Sequence, residues 1–149
     1  MKISTTLRYA LRFVMLLAER RELISTVEAA RELGISPLYL RQIASRLEKS
    51  QIVKSRRGAA GGYELSKSPS SITVLDIAMS VEERIHFIDC LMDKKNCPKS
   101  FECKARLFWL KLNETVINEM QKATVAEILN YDPDKYYELT GLPGKLPGR

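Results

Sequence analysis

Two helix-start signals, Ser25-Thr26-Val27-Glu28 and Ser36-Pro37, stand on either side of a lone glycine, Gly34. Serine with glutamate three residues on is the pattern of a capping box, in which each side chain accepts a hydrogen bond from the other residue's amide. Gly34 offers the left-handed stop that ends the helix so begun. Ser36-Pro37 then opens a new one, because serine caps it and proline at the first helical position loses no hydrogen bond. Helix cannot run through such a stop. The chain is held to a short helix, a tight turn and a second helix of about thirteen residues, which is a helix-turn-helix.

The second helix has two faces. Leu40, Ile43, Ala44 and Leu47 make an inward stripe. Tyr39, Gln42, Arg46 and Lys49 share another face, with Arg41 and Ser45 beside them. Arginine and lysine suit phosphates, and arginine and glutamine make forked bonds to guanine and adenine edges. Ser36, Tyr39, Arg41, Gln42, Arg46 and Lys49 are therefore the candidate DNA contacts here. The plainer reading is a solvated helix face, and the next stretch of chain weighs against it. Ile52-Val53-Lys54 and Tyr63-Glu64-Leu65 read as two strands around Ser55-Arg56-Arg57-Gly58-Ala59-Ala60-Gly61-Gly62. Arg56 and Arg57 make this hairpin a basic finger, slim enough for a narrow minor groove. A glycine-rich phosphate cradle would need a helix and lysine directly after it, and neither is there. Helix-turn-helix followed by a basic hairpin is a winged helix.

Charge agrees with this division. Residues 1–70 hold 13 Lys/Arg against 6 Asp/Glu, and residues 71–149 hold 11 against 12, so the net +6 lies wholly in the first part. Such asymmetry suits a polyanion-facing module joined to something else. Ahead of the helix-turn-helix, Leu7, Ala10, Leu11, Val14, Leu17 and Ala18 predict an amphipathic helix over 4–20. Its apolar run from Phe13 to Ala18 is too short to span a bilayer. With no leader pattern, the expected location is the cytoplasm, where thiols stay reduced.

After the turn-rich Ser68-Pro69-Ser70-Ser71, Thr73 and Asp76 predict a capped helix to about Glu83, packed through Val74, Leu75, Ala78 and Met79. Further on, Phe101, Ala105, Phe108, Leu112, Val116 and Met120 recur at helical spacing, widened by Trp109 and Ile117. They predict a helix over 101–122, about 30 Å long. Its apolar face is too large for a small domain to cover alone. Pairing with a second copy buries it, and a homodimer suits the two half-sites of a palindromic double-stranded operator. Thr124-Val-Ala-Glu127 opens a last short helix. Residues 130–149, with three prolines and three glycines, are expected to form a poorly ordered tail.

Between these helices the chain places its only cysteines, Cys90, Cys97 and Cys103, on a polar, charged stretch. Cysteine behaves as a small hydrophobe and prefers burial. Three on one hydrophilic segment point instead to thiolate ligation of an iron–sulfur cluster or zinc, or to direct thiol oxidation. An odd count speaks against a closed disulfide framework. A fourth donor would come from His86, Asp89, Asp93 or Glu102. An enzyme is disfavoured, because there is no Cys-x-x-Cys and a single histidine leaves little acid–base chemistry near neutral pH.

The opening Met-Lys-Ile-Ser-Thr-Thr-Leu-Arg-Tyr-Ala, the segment Ile35-Ser-Pro-Leu-Tyr-Leu-Arg-Gln42 and the wing Arg57-Gly-Ala-Ala-Gly-Gly-Tyr-Glu-Leu65 resemble the bacterial IscR/NsrR family over residues 1–129. The resemblance implies a mainly α fold with a small β-hairpin wing, a winged helix-turn-helix joined to a long C-terminal dimerisation helix. It implies a DNA-binding regulator, by expectation a repressor, that senses iron, redox state or nitric oxide. The sensor it implies is an iron–sulfur cluster, [2Fe-2S] or [4Fe-4S], on Cys90, Cys97 and Cys103; the residues alone leave as alternatives a structural zinc, a cluster-free thiol switch or a switch worked by a protein partner. Where relatives supply a fourth ligand, this chain has Arg106 and Arg8. The expected organisation is a DNA-binding region over 1–70, sensor and dimer elements over 71–129, and a tail over 130–149.

Overall fold

A computed structural model describes residues 3–58, 60–82, 85, 102–132 and 135. Helix α1 (Thr5–Arg20) is followed by α2 (Thr26–Leu33) and α3 (Pro37–Lys49), then strands β1 (Val53–Arg56) and β2 (Gly62–Leu65). After a 3-10 turn at Pro69–Ser71 come α4 (Val74–Val81), α5 (Lys104–Lys122) and α6 (Val125–Ile128). The described residues are mainly helical, with one antiparallel hairpin in which Val53 pairs with Leu65 and Arg56 with Gly62.

Local chemistry sets most boundaries. Ser4, Ser25, Ser36, Thr73 and Thr124 each cap a helix by accepting from an amide three residues on. Thr73–Asp76 and Thr124–Glu127 are full reciprocal capping boxes. The expected box at Ser25 is only half made. Ser25 caps Glu28, but the Glu28 carboxylate lies 3.7 Å from Arg20, which also binds Glu32 and so ties α1 to α2. Glu32, hydrogen-bonded to it, raises the Arg20 guanidinium further above its already high pKa. Gly34 adopts the left-handed conformation at φ 68° and closes α2 as expected.

One core runs through the whole described fold. Phe13 of α1, Ile24, the α3 stripe Leu40, Ile43, Ala44 and Leu47, and Ile52 and Val53 are buried together with Ile72, Ile77, Ala78, Val81 and Val125. The core therefore crosses the boundary expected at residue 70, and α4 packs on α1 and α3. Helix α4 ends at Val81, short of Glu83, which lies outside the described residues. Its packing also differs from expectation: Ile77 and Val81 face inward while Met79 faces solvent. The expected apolar set includes Met79, but the helix is rotated to bring Ile77 to the centre of contact. Helix α5 begins at Lys104 rather than near Phe101, which is also outside the described residues. Residues 133–134 and 136–149 of the expected tail lie there too.

The wing is fastened to this core rather than hinged from it. Ile24, just before α2, exchanges both backbone hydrogen bonds with Tyr63 at 3.0 and 2.8 Å. Phe13 meets the Tyr63 ring edge-on at 5.7 Å. This pairing brings the backbone of Ile24 so close to Gly62 that a Cβ at Gly62 would lie 2.2 Å from the Ile24 carbonyl oxygen. Only glycine fits. Gly62→Ala should therefore lower unfolding free energy by about 1–3 kcal/mol through overpacking, read from urea denaturation, whereas Ala60→Ser at the exposed tip should leave it within about 0.5 kcal/mol.

Candidate nucleic-acid interface and cysteine segment

The orientation of α3 decides which of its residues can reach DNA. Its buried stripe fixes the opposite face outward, and that face carries Leu38, Arg41, Gln42, Ser45 and Lys49 at helical spacing. Arg41, Gln42 and Lys49 are exposed, with no hydrogen bond or ion pair among the described residues. Ser36 is exposed at the helix start, where its Oγ accepts from the Tyr39 amide at 3.1 Å.

Two residues expected on the reading face are turned to its flank. Tyr39 is half-buried, meets the Tyr9 ring edge-on at 6.2 Å and shares a 3.1 Å hydroxyl–hydroxyl hydrogen bond with Thr6 of α1. Arg46 donates from Nη1 to the Val81 carbonyl at 2.7 Å, satisfying one of the unpaired carbonyls at the end of α4. These side chains hold the reading helix against α1 and α4. Leu38, in contrast, escapes any search of the sequence for polar groups. Counting three, four and seven residues back from Arg41, Gln42 and Ser45 is the signal that finds it.

The wing stands at a set distance from this helix. Glu48, near the end of α3, accepts from the Ser55 amide at 3.2 Å and from its hydroxyl at 2.6 Å. Across the hairpin, Glu64 lies 3.5 Å from Lys54 and 3.4 Å from Arg56. Such exposed pairs are worth about 0–1 kcal/mol, so a phosphate could take Arg56 over. Arg57 is exposed and has no partner among the described residues. The interface thus offers a helix with a mixed apolar and polar face, beside a basic hairpin tip.

Of the cysteines, Cys103 is described. It is half-buried and is the N-cap of α5, its side chain making no cap hydrogen bond. That position is the positive end of a helix, favourable to the negative charge of thiolate ligation. Cys90, Cys97, His86, Asp89 and Asp93 lie outside the described residues, and Glu102 is exposed beside Cys103. Among the described residues, no three His, Cys, Asp or Glu converge as a metal site. Arg106 is half-buried one turn into α5, and Arg8 donates to Thr5 at 3.2 Å on the exposed side of α1. Neither can serve as a metal ligand, because guanidinium has no lone pair to give.

The segment is joined at its other end to the DNA-reading elements. Arg46 holds Val81, and the Ser4 hydroxyl, which caps α1, donates to the Glu82 carboxylate. Past the cysteines, α5 buries no residue fully. Leu107 and Phe108 remain 70% and 59% exposed, and the Phe108 ring meets Trp109 at 4.9 Å. The C-terminal end of α5 is anchored by the Val74 amide to the Ala123 carbonyl at 2.9 Å and by Val125 to Ile72 at 2.9 Å. No helix among the described residues is long and apolar enough to cross a membrane.

A helix-turn-helix with its second helix turned outward beside a basic wing defines a winged-helix DNA-binding transcription regulator. Residues 3–131 match the Rrf2 family model, described as an iron-dependent transcriptional regulator, and the chain belongs to that family. It is 31% identical over 132 residues to the HTH-type transcriptional regulator IscR of Klebsiella pneumoniae, covering 87% of this chain and 80% of that protein. Among solved structures it resembles CymR, the global cysteine regulator of B. subtilis, with a TM-score of 0.73 and 30% identity over 89% of this chain and 98% of that one. The oxidised form of Staphylococcus aureus CymR is similar at a TM-score of 0.71 and 28% identity, over 89% of this chain and 98% of that one. The relatives are regulators, and this chain is a regulator rather than an enzyme.

The two kinds of contact should separate experimentally. Arg57→Ala is expected to weaken operator and scrambled duplex alike and to lower the salt slope of binding by about 1. Gln42→Ala is expected to weaken only the operator, by about 1–3 kcal/mol. Fluorescence anisotropy over a series of salt concentrations measures both.

Proposed function

We propose that the protein is a homodimeric repressor whose affinity for a palindromic operator is set by a labile iron–sulfur cluster on Cys90, Cys97 and Cys103, sensing iron, redox state or nitric oxide. The observation that carries this reading is the position of the cysteine segment. It lies between α4, whose end is bonded to the reading helix, and α5, which starts directly after Cys103. Three thiolates form a soft donor set that fits a [2Fe-2S] or [4Fe-4S] cluster, and also zinc. The family's description as iron-dependent favours iron. When bound, the cluster would supply a centre that iron, oxidants or nitric oxide alter. What this chain's own residues do is tie both ends of the segment to the elements that read DNA and face the partner.

Dimer formation is supported by the uncovered apolar side chains of α5, Leu107, Phe108 and Trp109, on a helix anchored at its other end. In functional terms residues 1–70 read the operator, and 71–129 sense and pair; residues 130–149 serve as a tail. Work in the cytoplasm would keep the thiols reduced for ligation. Phe108→Glu should convert the dimer to monomer in sedimentation velocity while leaving the helical signal unchanged.

A second reading is supported by the likeness to CymR, called a global cysteine regulator in B. subtilis and solved in an oxidised form in S. aureus. In it the cysteines act as bare thiols, oxidised directly. One experiment divides the readings. Anaerobic purification and reconstitution, with iron and sulfide analysis, should give cluster-bearing wild type and cluster-free Cys103→Ala. Operator affinity at one salt concentration should then differ between loaded and apo wild type by about 5–150-fold. Wild type without iron and sulfide, whose affinity changes with peroxide, would establish the thiol switch instead.

A further inference from the structure

We infer that Leu38 reads the C5-methyl group of a thymine in the operator and is a sequence-determining residue of the recognition helix. Leu38 is the second residue of α3 and is 63% exposed. A single exposed leucine means little by itself. Its position is what matters. It lies opposite the buried Leu40–Leu47 stripe, on the same face as Arg41, Gln42 and Ser45, and in the first turn of the helix that enters DNA. Helix-turn-helix proteins meet base edges with that N-terminal part of the recognition helix.

The neighbours narrow what Leu38 can do. Tyr39 is held by Thr6 and Tyr9, so the aromatic ring beside it is not free to cover a base. Leu38 has no polar atom and cannot answer a hydrogen-bonding edge. In the major groove, thymine alone among the four bases presents a methyl group, and apolar side chains recognise it by contact. Cytosine at the same place would set an unpaired amino group against the leucine. Gln42, one turn further on the same face, carries the forked amide that fits adenine. The face therefore favours an A·T-containing half-site in which one thymine is recognised by its methyl.

The test uses the full chain and an operator selected from a random duplex library by the wild-type protein. Each thymine is replaced in turn by deoxyuridine, which removes only the methyl group, and binding is measured at one salt concentration. One thymine per half-site should show a loss of about fourfold for wild type, the value of one buried methyl group. Leu38→Ala should bind the unmodified operator more weakly, yet be indifferent to deoxyuridine at that position. Leu38→Met should restore the sensitivity. Equal deoxyuridine effects in wild type and Leu38→Ala at every position, or no effect at any, would overturn the inference. Thermal melting of Leu38→Ala, expected to match wild type because the side chain is exposed, separates lost recognition from lost fold. Wild type that selects no sequence at all would instead count against operator reading by the chain.

Discussion

Burial of Leu40, Ile43, Ala44 and Leu47 against α1, α2 and α4 is the constraint on which the rest depends, because it fixes the rotation of α3 about its own axis. Each buried aliphatic side chain contributes about 1.5–3 kcal/mol, and turning the helix by one residue would expose part of the stripe. With the stripe held, Leu38, Arg41, Gln42, Ser45 and Lys49 have no choice but to face outward. The outward surface of the helix is thus a by-product of core packing. Its chemistry can vary from one relative to another without disturbing the fold that presents it.

Much of this was legible in the chain itself, because the signals are local. Ser25, Gly34, Ser36 and Thr73 act on amides or dihedral angles within a few residues, so helix starts and stops fall where the sequence puts them. The two strands likewise follow from short apolar runs around a glycine-rich tip. What could not be read locally lies at the flanks of helices. Tyr39 and Arg46 sit at the border between the buried stripe and solvent, and their direction is settled by Thr6 and Val81, far away in sequence. Glu28 leaves its box incomplete for the same reason, since Arg20 competes for the carboxylate. The three cysteines mark a candidate site by composition alone, but two of them and most of the alternative donors lie outside the described residues.

The contact between Arg46 and Val81 gives α4 two roles. Its apolar side chains Ile77, Ala78 and Val81 help close the core, and its last carbonyl receives a hydrogen bond from the recognition helix. Glu82 adds a bond to the Ser4 hydroxyl at the start of α1. Both bonds fall where the chain leaves α4 for the cysteine segment. Such charge-assisted hydrogen bonds are stronger than neutral ones but still modest, about 1.5–3 kcal/mol each. That is the scale of energy a regulatory coupling requires.

The pairing of Ile24 with Tyr63, and of Glu48 with Ser55, has a consequence for DNA rather than for the protein. It makes the chain a caliper, with the recognition helix as one jaw and the wing as the other. A caliper of fixed opening cannot adapt to a groove of the wrong width. Any mismatch must be taken up by the duplex, whose willingness to narrow or bend depends on its base steps. Base pairs lying between the two jaws, touched by neither, are thereby subject to selection through their stiffness.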